Sequence, residues 1–300
     1  MDPIIVIFGL GVGVLVGTTG MGGGSIMTPL LILVVGVNPA VAIGTDLAYA
    51  AVTKTVGGWR HLLAKTVDMR LCMWLAVGSL PGAIVGVWLL QRLEASLGAS
   101  FDDTIMIILA ATLLLTAVAV LARALFVRDV SGRERESAAL AASGARGGTI
   151  AFGFVVGVVL GTTSAGSGAL IALGLIMFFK LSPRRVVGTD VAHAAVLLWV
   201  AAAGHLIAGN VDLALAGNIL IGSIPGVWLG VHLATRLPEQ GLRPLLGIVL
   251  LAAGLGLLAK AGAGVPPAAI LGVPTTAGVA ALLVHQVRIR TAPEPAPQSS

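Results

Sequence analysis

The sequence predicts an all-α integral membrane protein built from two similar halves of opposite orientation. Of its 300 residues, 57% are hydrophobic and 10% are charged, and its mean hydropathy is +1.03. Both values lie far outside the range of soluble proteins. Apolar runs of about 20 residues, long enough to cross a hydrocarbon core of about 30 Å, recur along the chain, for example at 71–90, 105–125 and 213–233.

Composition also narrows the chemistry that we expect. The 41 glycines favour helices that pack closely, because small residues let helix backbones approach each other. The single cysteine, Cys72, excludes an intramolecular disulfide and a cysteine cluster for a metal, and the five histidines show no ligand spacing. The net charge of +5 comes mainly from basic residues at segment ends, which orient helices in a bilayer. We therefore expect no metal, no cofactor and no nucleic-acid partner.

An internal repeat supports the two-halves prediction. Residues 13–93 align without a gap on residues 157–237, at a constant offset of 144 and with 33 identities in 81 positions. The matching blocks contain polar residues and prolines, which apolar composition alone would not align. They include Gly17-Thr18-Thr19 with Gly161-Thr162-Thr163, Gly44-Thr45-Asp46 with Gly188-Thr189-Asp190, and Gly78-Ser79-Leu80-Pro81-Gly82 with Gly222-Ser223-Ile224-Pro225-Gly226.

The differences between the copies predict their orientation. The loop at 60–70 carries Arg60, Lys65 and Arg70, and its counterpart has no basic residue at these places. One loop earlier the reverse holds, since Lys180, Arg184 and Arg185 replace Gly36, Ala40 and Val41. Because basic loops tend to face the cytoplasm, equivalent loops should lie on opposite sides, which is the inverted-repeat arrangement of many transporters. The alternative is two parallel copies whose loop charges have drifted.

A consistent path through the membrane follows from this orientation. The loops at 60–70, 127–147, 180–185 and 235–243 and the C-terminus are expected in the cytoplasm of a cell whose inner membrane holds the chain. Seven full crossings are predicted, at 40–60, 70–91, 104–126, 184–205, 213–235, 244–259 and 268–286. The expected units are a first repeat at 1–126, a cytoplasmic linker at 127–147, a second repeat at 148–260, an additional helix at 261–290 and a disordered tail at 291–300.

Two further segments, 4–36 and 148–180, are interrupted by polar, Gly-rich turns. They are predicted to be helical hairpins or re-entrant pairs, which the sequence does not separate. A broken helix in lipid exposes costly backbone groups unless it lines a cavity, where half-helix N-termini can hold an anion. The alternative is close helix packing with a water-facing loop. The predicted substrate-binding residues are Thr18, Thr19, Gly22, Gly23, Gly24, Ser25, Thr45, Thr162, Thr163, Ser164, Gly166, Ser167, Gly168 and Thr189.

Two acids recur in the repeat at a depth where acids are costly. If helices begin near Pro39 and Pro183, Asp46 and Asp190 lie about 10 Å along them. Acids inside a membrane indicate a function such as proton coupling, and both are predicted to serve it. In the alternative interpretation, Gly44 and Gly188 break the helices and each acid caps the segment that follows.

Two basic groups in the same helices have less specific interpretations. Lys54 either extends its ammonium to the cytoplasmic interface or attracts an anion into an inward vestibule, and the first is favoured. His193 follows Asp190 by one turn, but Tyr49 holds the equivalent place in the first repeat. A hydrogen-bonded packing role is therefore favoured for His193.

At these residues the chain resembles the TauE/SafE family of sulfite-exporter-type permeases. The resemblance rests on a duplicated order of a Gly-rich turn (17–29), the Gly44-Thr45-Asp46 block and the Gly78–Gly82 block, and it covers about Ile4 to Leu258. It implies transport of small sulfur-containing anions, such as sulfite, sulfonates or related organic acids. Family members often carry Ser where this chain has Asp46 and Asp190, which favours proton coupling or a substrate unlike sulfite.

The predicted function is therefore a secondary transporter, and more specifically an exporter, of such an anion by alternating access with proton coupling. The alternatives are a passive anion channel and, less favoured, an intramembrane enzyme, for which HExxH and GxSxG motifs are missing from the sequence. The expected partners are the anion, the lipid bilayer and protons, and a homodimer remains open.

Overall fold

The computed structural model describes residues 2–19, 24–126, 143–165, 168, 170, 171, 174, 175, 179, 181, 183–234 and 239–290. Every regular element in this part of the chain is a helix, as the sequence predicts. The helices are α1 (Pro3–Thr19), α2 (Gly24–Leu30, continued by a π-helical turn at Leu31–Val35), α3 (Pro39–Leu63), α4 (Met69–Leu97), α5 (Phe101–Phe126), α6 (Ser143–Thr163), α7 (Pro183–Ile207), α8 (Leu213–Ala234), α9 (Glu239–Lys260) and α10 (Pro267–Arg290).

Polar caps at three helix starts fix where the chain turns. Asn38 accepts a hydrogen bond from the Ala40 N–H at the start of α3, where Pro39 needs no hydrogen-bond acceptor. The Asp68 side chain accepts from Leu71 N–H at the start of α4, and Asp212 does the same for Leu215 at the start of α8. Each capping oxygen satisfies an amide that would otherwise be unpaired.

The seven segments predicted to cross the membrane are all helices, with ends within about six residues of those predicted. Four described stretches are long and apolar enough to cross a membrane by composition: Met69–Leu121, which holds α4 and most of α5, and then Arg146–Thr163, Arg185–Ile207 and Leu213–Leu233. α3 is 25 residues long and is not among them. The chain is therefore a multi-pass membrane protein, and the number of crossings stays a prediction.

Glycine-lined contacts hold α1 against α8 and α6 against α4. A Cβ added to Gly9, Gly13 or Gly17 would lie within 2.6 Å of a backbone oxygen of α8, at Ile219, Ser223 and Val227 respectively. The contacts of α6 repeat this pattern 144 residues later: Gly153, Gly157 and Gly161 approach Leu75, Ser79 and Ala83. In both pairs the residue numbers rise together, so the two helices of each pair run parallel, and only glycine fits where the backbones touch.

The central pair, α3 and α7, runs antiparallel. Near the start of α3, Gly44 lies against His205 at the end of α7, and farther along α3 Gly58 lies against Ala192. Between these contacts, the Trp199 indole N–H donates to the Thr55 hydroxyl at 2.9 Å. Thr55 and Trp199 are equivalent positions at the offset of 144, so this contact lies where the two halves meet.

α2 is short and ends in an irregular turn. Together, α2 and its π-helical turn span residues 24–35, which at 1.5 Å per residue is about 18 Å. Gly36 then adopts φ +77°, which lets the chain leave the helix. The last turn of a helix leaves carbonyls without an intrahelical partner, and the Lys260 ammonium of α9 donates to a carbonyl in this turn, that of Ile32.

Candidate functional site

The Asp46 carboxylate connects the two Gly-rich segments. Asp46 is fully buried on α3. Its Oδ2 accepts hydrogen bonds from the hydroxyl of Thr28, on α2, and from the hydroxyl of Ser164, just after α6, each at 2.6 Å. Among the described residues, Oδ1 is buried without a hydrogen-bond partner. The two segments that the sequence predicts to form one site therefore meet at a single acid.

Asp190, the equivalent acid on α7, has a different environment. Its Oδ2 lies 3.6 Å from the ammonium of Lys54 on α3, and both side chains are more than nine-tenths buried. The backbone N–H of Gly168, in the second Gly-rich segment, also donates to this carboxylate. The favoured interpretation of Lys54 as an interfacial side chain is wrong, because its ammonium turns inward to an oppositely charged partner.

Both acids lie inside continuous helices. α3 runs from Pro39 to Leu63 through Gly44, and α7 from Pro183 to Ile207 through Gly188. The alternative in which these glycines break the helix and the acids cap the next segment is therefore wrong. Both glycines are required for packing instead, since a Cβ on Gly44 would meet the Asn210 carbonyl oxygen and one on Gly188 the Thr66 carbonyl oxygen.

The threonines that precede the acids bind the opposite half of the molecule. The Thr45 hydroxyl accepts from the Asp212 backbone N–H at 3.0 Å, and the Thr189 hydroxyl accepts from the Asp68 backbone N–H at 2.9 Å. Both side chains are fully buried. These two predicted substrate ligands thus anchor the loops before α8 and α4.

The hydroxyl groups at the ends of α1 and α6 are directed mostly to backbone oxygens. Thr18 donates to the Leu15 carbonyl, Thr163 donates to the Val159 carbonyl, and Thr162 donates to carbonyls of its own helix and of Gly86. Ser25 is buried at the start of α2.

Ser164 adopts φ +58°, a conformation that is costly for a residue other than glycine. That turn directs its hydroxyl to Asp46.

Of the other predicted ligands, Gly24 begins α2, and Gly168 is buried with φ +112°. Thr19 lies in α1, and its side chain is outside the described part of the structure. Gly22, Gly23, Gly166 and Ser167 lie outside the described residues, as do 127–142 of the predicted linker and the tail at 291–300.

A second polar contact lies beside Lys54 and Asp190. The His193 Nε2 and the Ser79 hydroxyl of α4 are 2.8 Å apart, and both side chains are buried. This is the packing role favoured for His193. His205, which recurs as His61 in the first half, lies with its Nε2 2.8 Å from the Gly161 carbonyl.

Sequence reasoning missed one residue of this region, Thr28, and misjudged another, Lys54. The signal lay in the alignment, because the equivalents of Thr28 and Lys54 are Ala172 and Leu198. Where one repeat has a polar residue and the aligned position of the other repeat has an apolar one, the two halves differ in chemistry. Among the described residues, no group of three or more His, Cys, Asp or Glu side chains is arranged to hold a metal ion.

Comparison with known proteins places these features in one family. A family model described as sulfite exporter TauE/SafE matches residues 5–257. The chain is 40% identical over 260 residues to a Bacillus subtilis protein named "probable membrane transporter protein YjnA", covering 86% of this chain and all of the relative. A second B. subtilis protein, "probable membrane transporter protein YdhB", is 29% identical over 255 residues, or 85% of this chain and 98% of the relative. No solved structure matches the chain significantly.

Proposed function

The chain belongs to the sulfite exporter TauE/SafE family of membrane transport proteins, and we propose that it exports a small sulfur-containing or organic anion, such as sulfite or a sulfonate. It acts as a secondary transporter in the inner membrane, with its C-terminus in the cytoplasm, and it is not an enzyme. Two inverted halves alternate access to a site between them, and protons are coupled to the anion through Asp46 and Asp190.

The observation that carries this proposal is the convergence of both Gly-rich segments on Asp46. Thr28 and Ser164 come from different halves and share one carboxylate oxygen. The bond from Ser164 crosses between the halves and must change when one half shifts against the other, so the state of Asp46 depends on how the halves are arranged. An acid with this property can link proton binding to alternating access.

The directions of the helix contacts support the inversion. Equivalent helices α3 and α7 run antiparallel, while α1 runs parallel to α8 and α6 runs parallel to α4. Two copies with the same orientation would make α3 and α7 parallel. If α3 enters from the outside, each of the other pairs then crosses in the direction that the loop charges predict.

The anion is proposed to bind beside the two Gly-rich segments, where the first turn of α2 leaves backbone N–H groups without an intrahelical partner. Thr18, Thr19, Gly22, Gly23, Gly24 and Ser25 line it from one half, and Thr162, Thr163, Ser164, Gly166, Ser167 and Gly168 from the other. Thr45 and Thr189 hold the adjoining loops, so their contribution to the anion is through position. Backbone amides at helix ends are suited to sulfite or sulfonate oxygens.

Transport is tested with the purified chain in liposomes. Efflux of sulfite, sulfoacetate, methanesulfonate and two unrelated carboxylates is compared with and without a pH gradient. We expect at least one sulfur-containing anion to leave faster than from empty liposomes, and faster still when the gradient drives protons in the coupled direction. If no anion in the panel exceeds the empty-liposome rate, the proposed function is wrong.

A passive channel is the alternative, and it differs in its kinetics. A carrier changes conformation once per cycle, so its flux saturates with anion concentration. A flux that rises in proportion to concentration, without a response to the pH gradient, would favour the channel.

The inverted topology has its own test at two equivalent positions. Ala64 and Ala208 are related by the offset of 144 and follow α3 and α7. In a background where the buried Cys72 is replaced by Ala, cysteines at the two positions are exposed to an impermeant maleimide in intact cells. We expect Ala208→Cys to react and Ala64→Cys to react only after permeabilisation. Reaction of both without permeabilisation would contradict the inversion.

A further inference from the structure

Lys54 is distinguished from the other basic residues by its burial. Among the described residues, the buried Lys, Arg, Asp and Glu side chains are Asp46, Lys54 and Asp190. The equivalent of Lys54 in the second half is Leu198, so this cation belongs to one half only. An isolated ammonium in a membrane core is costly, and a chain that keeps one there without symmetry needs it for a purpose that packing does not supply.

The Lys54–Asp190 ion pair is loosely formed. The distance of 3.6 Å between Nζ and Oδ2 exceeds the roughly 2.7–2.9 Å of a well-formed charge-assisted hydrogen bond. In the part of the chain that the structure describes, Asp190 Oδ1 is buried without a hydrogen-bond partner. Buried pairs contribute stability only when their geometry is good and their remaining valences are satisfied. This pair meets neither condition, so structural stability alone does not account for it.

The groups around the Asp190 carboxylate are those that would bind an anion. The Lys54 ammonium lies beside the carboxylate, and the backbone N–H of Gly168, in the second Gly-rich segment, donates to the same carboxylate. Gly168 has φ +112°, a conformation that favours glycine, so this amide is held in place by a turn that other residues rarely adopt. A sulfite or sulfonate oxygen requires the same donors as a carboxylate oxygen. Asp190 thus occupies an anion-binding position.

We propose that Lys54 is the cation that binds the transported anion, and that Asp190 is its internal counter-ion, which the anion displaces while Asp190 takes up a proton. This inference rests on the proposed function. The empty site holds Lys54 as an ammonium and Asp190 as a carboxylate, with no net charge. The occupied site holds the ammonium, a monovalent anion and a neutral carboxyl group, again with no net charge. One proton therefore enters the site with each monovalent anion.

Other titratable groups also face Asp190. His61 lies near it on α3, and His193 lies one turn away on its own helix, bonded to Ser79 of α4. From α4, the Asp68 carboxylate accepts from its own helix at Leu71, and its backbone N–H binds Thr189 next to Asp190. Of these groups, only Asp190 contacts the Lys54 ammonium as an anion, which makes it the group whose charge must change when a second anion arrives.

The test measures binding of methanesulfonate, whose charge does not change with pH, to the purified full chain in detergent by titration calorimetry. In the wild type we expect affinity to fall by about tenfold for each pH unit above the range where Asp190 is protonated, because one proton is bound with each anion. Asp190→Asn should bind with an affinity that does not vary with pH. Asp103→Asn, the same change at an exposed acid of α5, should keep the wild-type slope.

The role of Lys54 is isolated by a second comparison. Asp190→Asn retains Lys54 without its counter-ion, and Lys54→Gln/Asp190→Asn differs from it only in the cation and leaves no charge unpaired. We expect the double variant to bind at least tenfold more weakly. Equal affinity of these two variants, or a wild-type pH slope in Asp190→Asn, would overturn the inference. Absence of methanesulfonate binding by Asp190→Asn would overturn it as well.

These outcomes are separate from failure of the proposed function. If the wild type transports an anion in liposomes while Asp190→Asn keeps the wild-type pH slope, the transporter stands and the roles of Lys54 and Asp190 do not. If no anion moves in the wild type, the proposed function itself fails.

Discussion

Asp46 and Asp190 occupy equivalent positions in identical Gly-Thr-Asp blocks, yet their surroundings have opposite chemistry. Asp46 accepts two hydroxyl hydrogen bonds, whereas Asp190 lies beside an ammonium. The alignment accounts for the difference. The equivalents of Thr28, Ser164 and Lys54 are Ala172, Gly20 and Leu198, so each polar neighbour of one acid has an apolar or glycine counterpart. A duplicated acid has thus been given two environments through three neighbouring positions.

The remaining framework is alike in the two halves, which makes the contrast informative. The Thr45–Asp212 and Thr189–Asp68 bonds are equivalent, and so are the glycine contacts of α1 with α8 and of α6 with α4. The halves therefore share their packing and differ in the charge near their acids. Substitutions at the shared positions should have matched effects, and substitutions at the distinct positions should not.

The largest loss of stability is expected when the Lys54 ammonium, which the second half lacks, is removed. Lys54→Leu places at position 54 the residue that the second half has at Leu198, and leaves Asp190 buried without a counter-ion. Removing one partner of a buried pair costs about 3–5 kcal/mol. Thermal unfolding in detergent should show the loss, and Lys54→Leu/Asp190→Asn should recover most of it. An unchanged unfolding temperature for Lys54→Leu would mean that Asp190 does not depend on Lys54.

A smaller effect is expected from the hydroxyl groups at Asp46. Thr28→Val removes a hydrogen bond to the acid with little change of shape, at a cost of about 1.5–3 kcal/mol for a bond to a charged group. Thr112→Val is the matched control, since its hydroxyl binds the Ile108 carbonyl in its own helix. Equal losses of stability in the two variants, measured by thermal unfolding, would show that the hydrogen bond from Thr28 to Asp46 contributes no more stability than a hydroxyl bond within a helix.

The shared framework predicts matched effects at the glycine contacts. A Cβ at Gly78 would lie 2.0 Å from the Ile150 carbonyl oxygen, and one at Gly222 would lie 1.9 Å from the Val6 carbonyl oxygen. Gly78→Ala and Gly222→Ala should each cost about 1–3 kcal/mol by overpacking. Gly217→Ala, on the same helix as Gly222 with open space around its Cβ position, should not destabilise. Unequal losses of stability for Gly78→Ala and Gly222→Ala, measured by thermal unfolding, would contradict the likeness of the two interfaces.

The smallest effect is expected where the halves touch at equivalent positions. Trp199→Phe keeps the ring and removes the N–H that donates to Thr55. Because this bond is exposed, the loss should be about 0.5–1.5 kcal/mol or less. A loss as large as that of Lys54→Leu in the same unfolding assay would contradict the small contribution expected of an exposed hydrogen bond.

The sequence predicted the helices well and the contacts between them poorly, for a physical reason. Apolar runs near 20 residues and the prolines at positions 39 and 183 are local signals, so the helix bounds followed from them. The prediction that Asp46 and Asp190 lie seven residues inside helices was confirmed by the uninterrupted α3 and α7. Lys54 was misjudged because the choice between an interfacial and a buried ammonium depends on which residue of α7 faces it. Ser164 was among the predicted residues, but its bond to Asp46 joins residues 118 apart.

The central claim is that the chain carries its anion by alternating access, and counterflow tests it most directly. Liposomes containing the purified chain and loaded with unlabelled sulfite are diluted into a trace of radiolabelled sulfite, with no pH gradient. A carrier that exchanges one anion per cycle should accumulate label transiently above its outside concentration, and Lys54→Gln/Asp190→Asn should not. Label that only equilibrates in wild-type liposomes, at a rate that sulfite on the opposite side does not raise, would contradict the account.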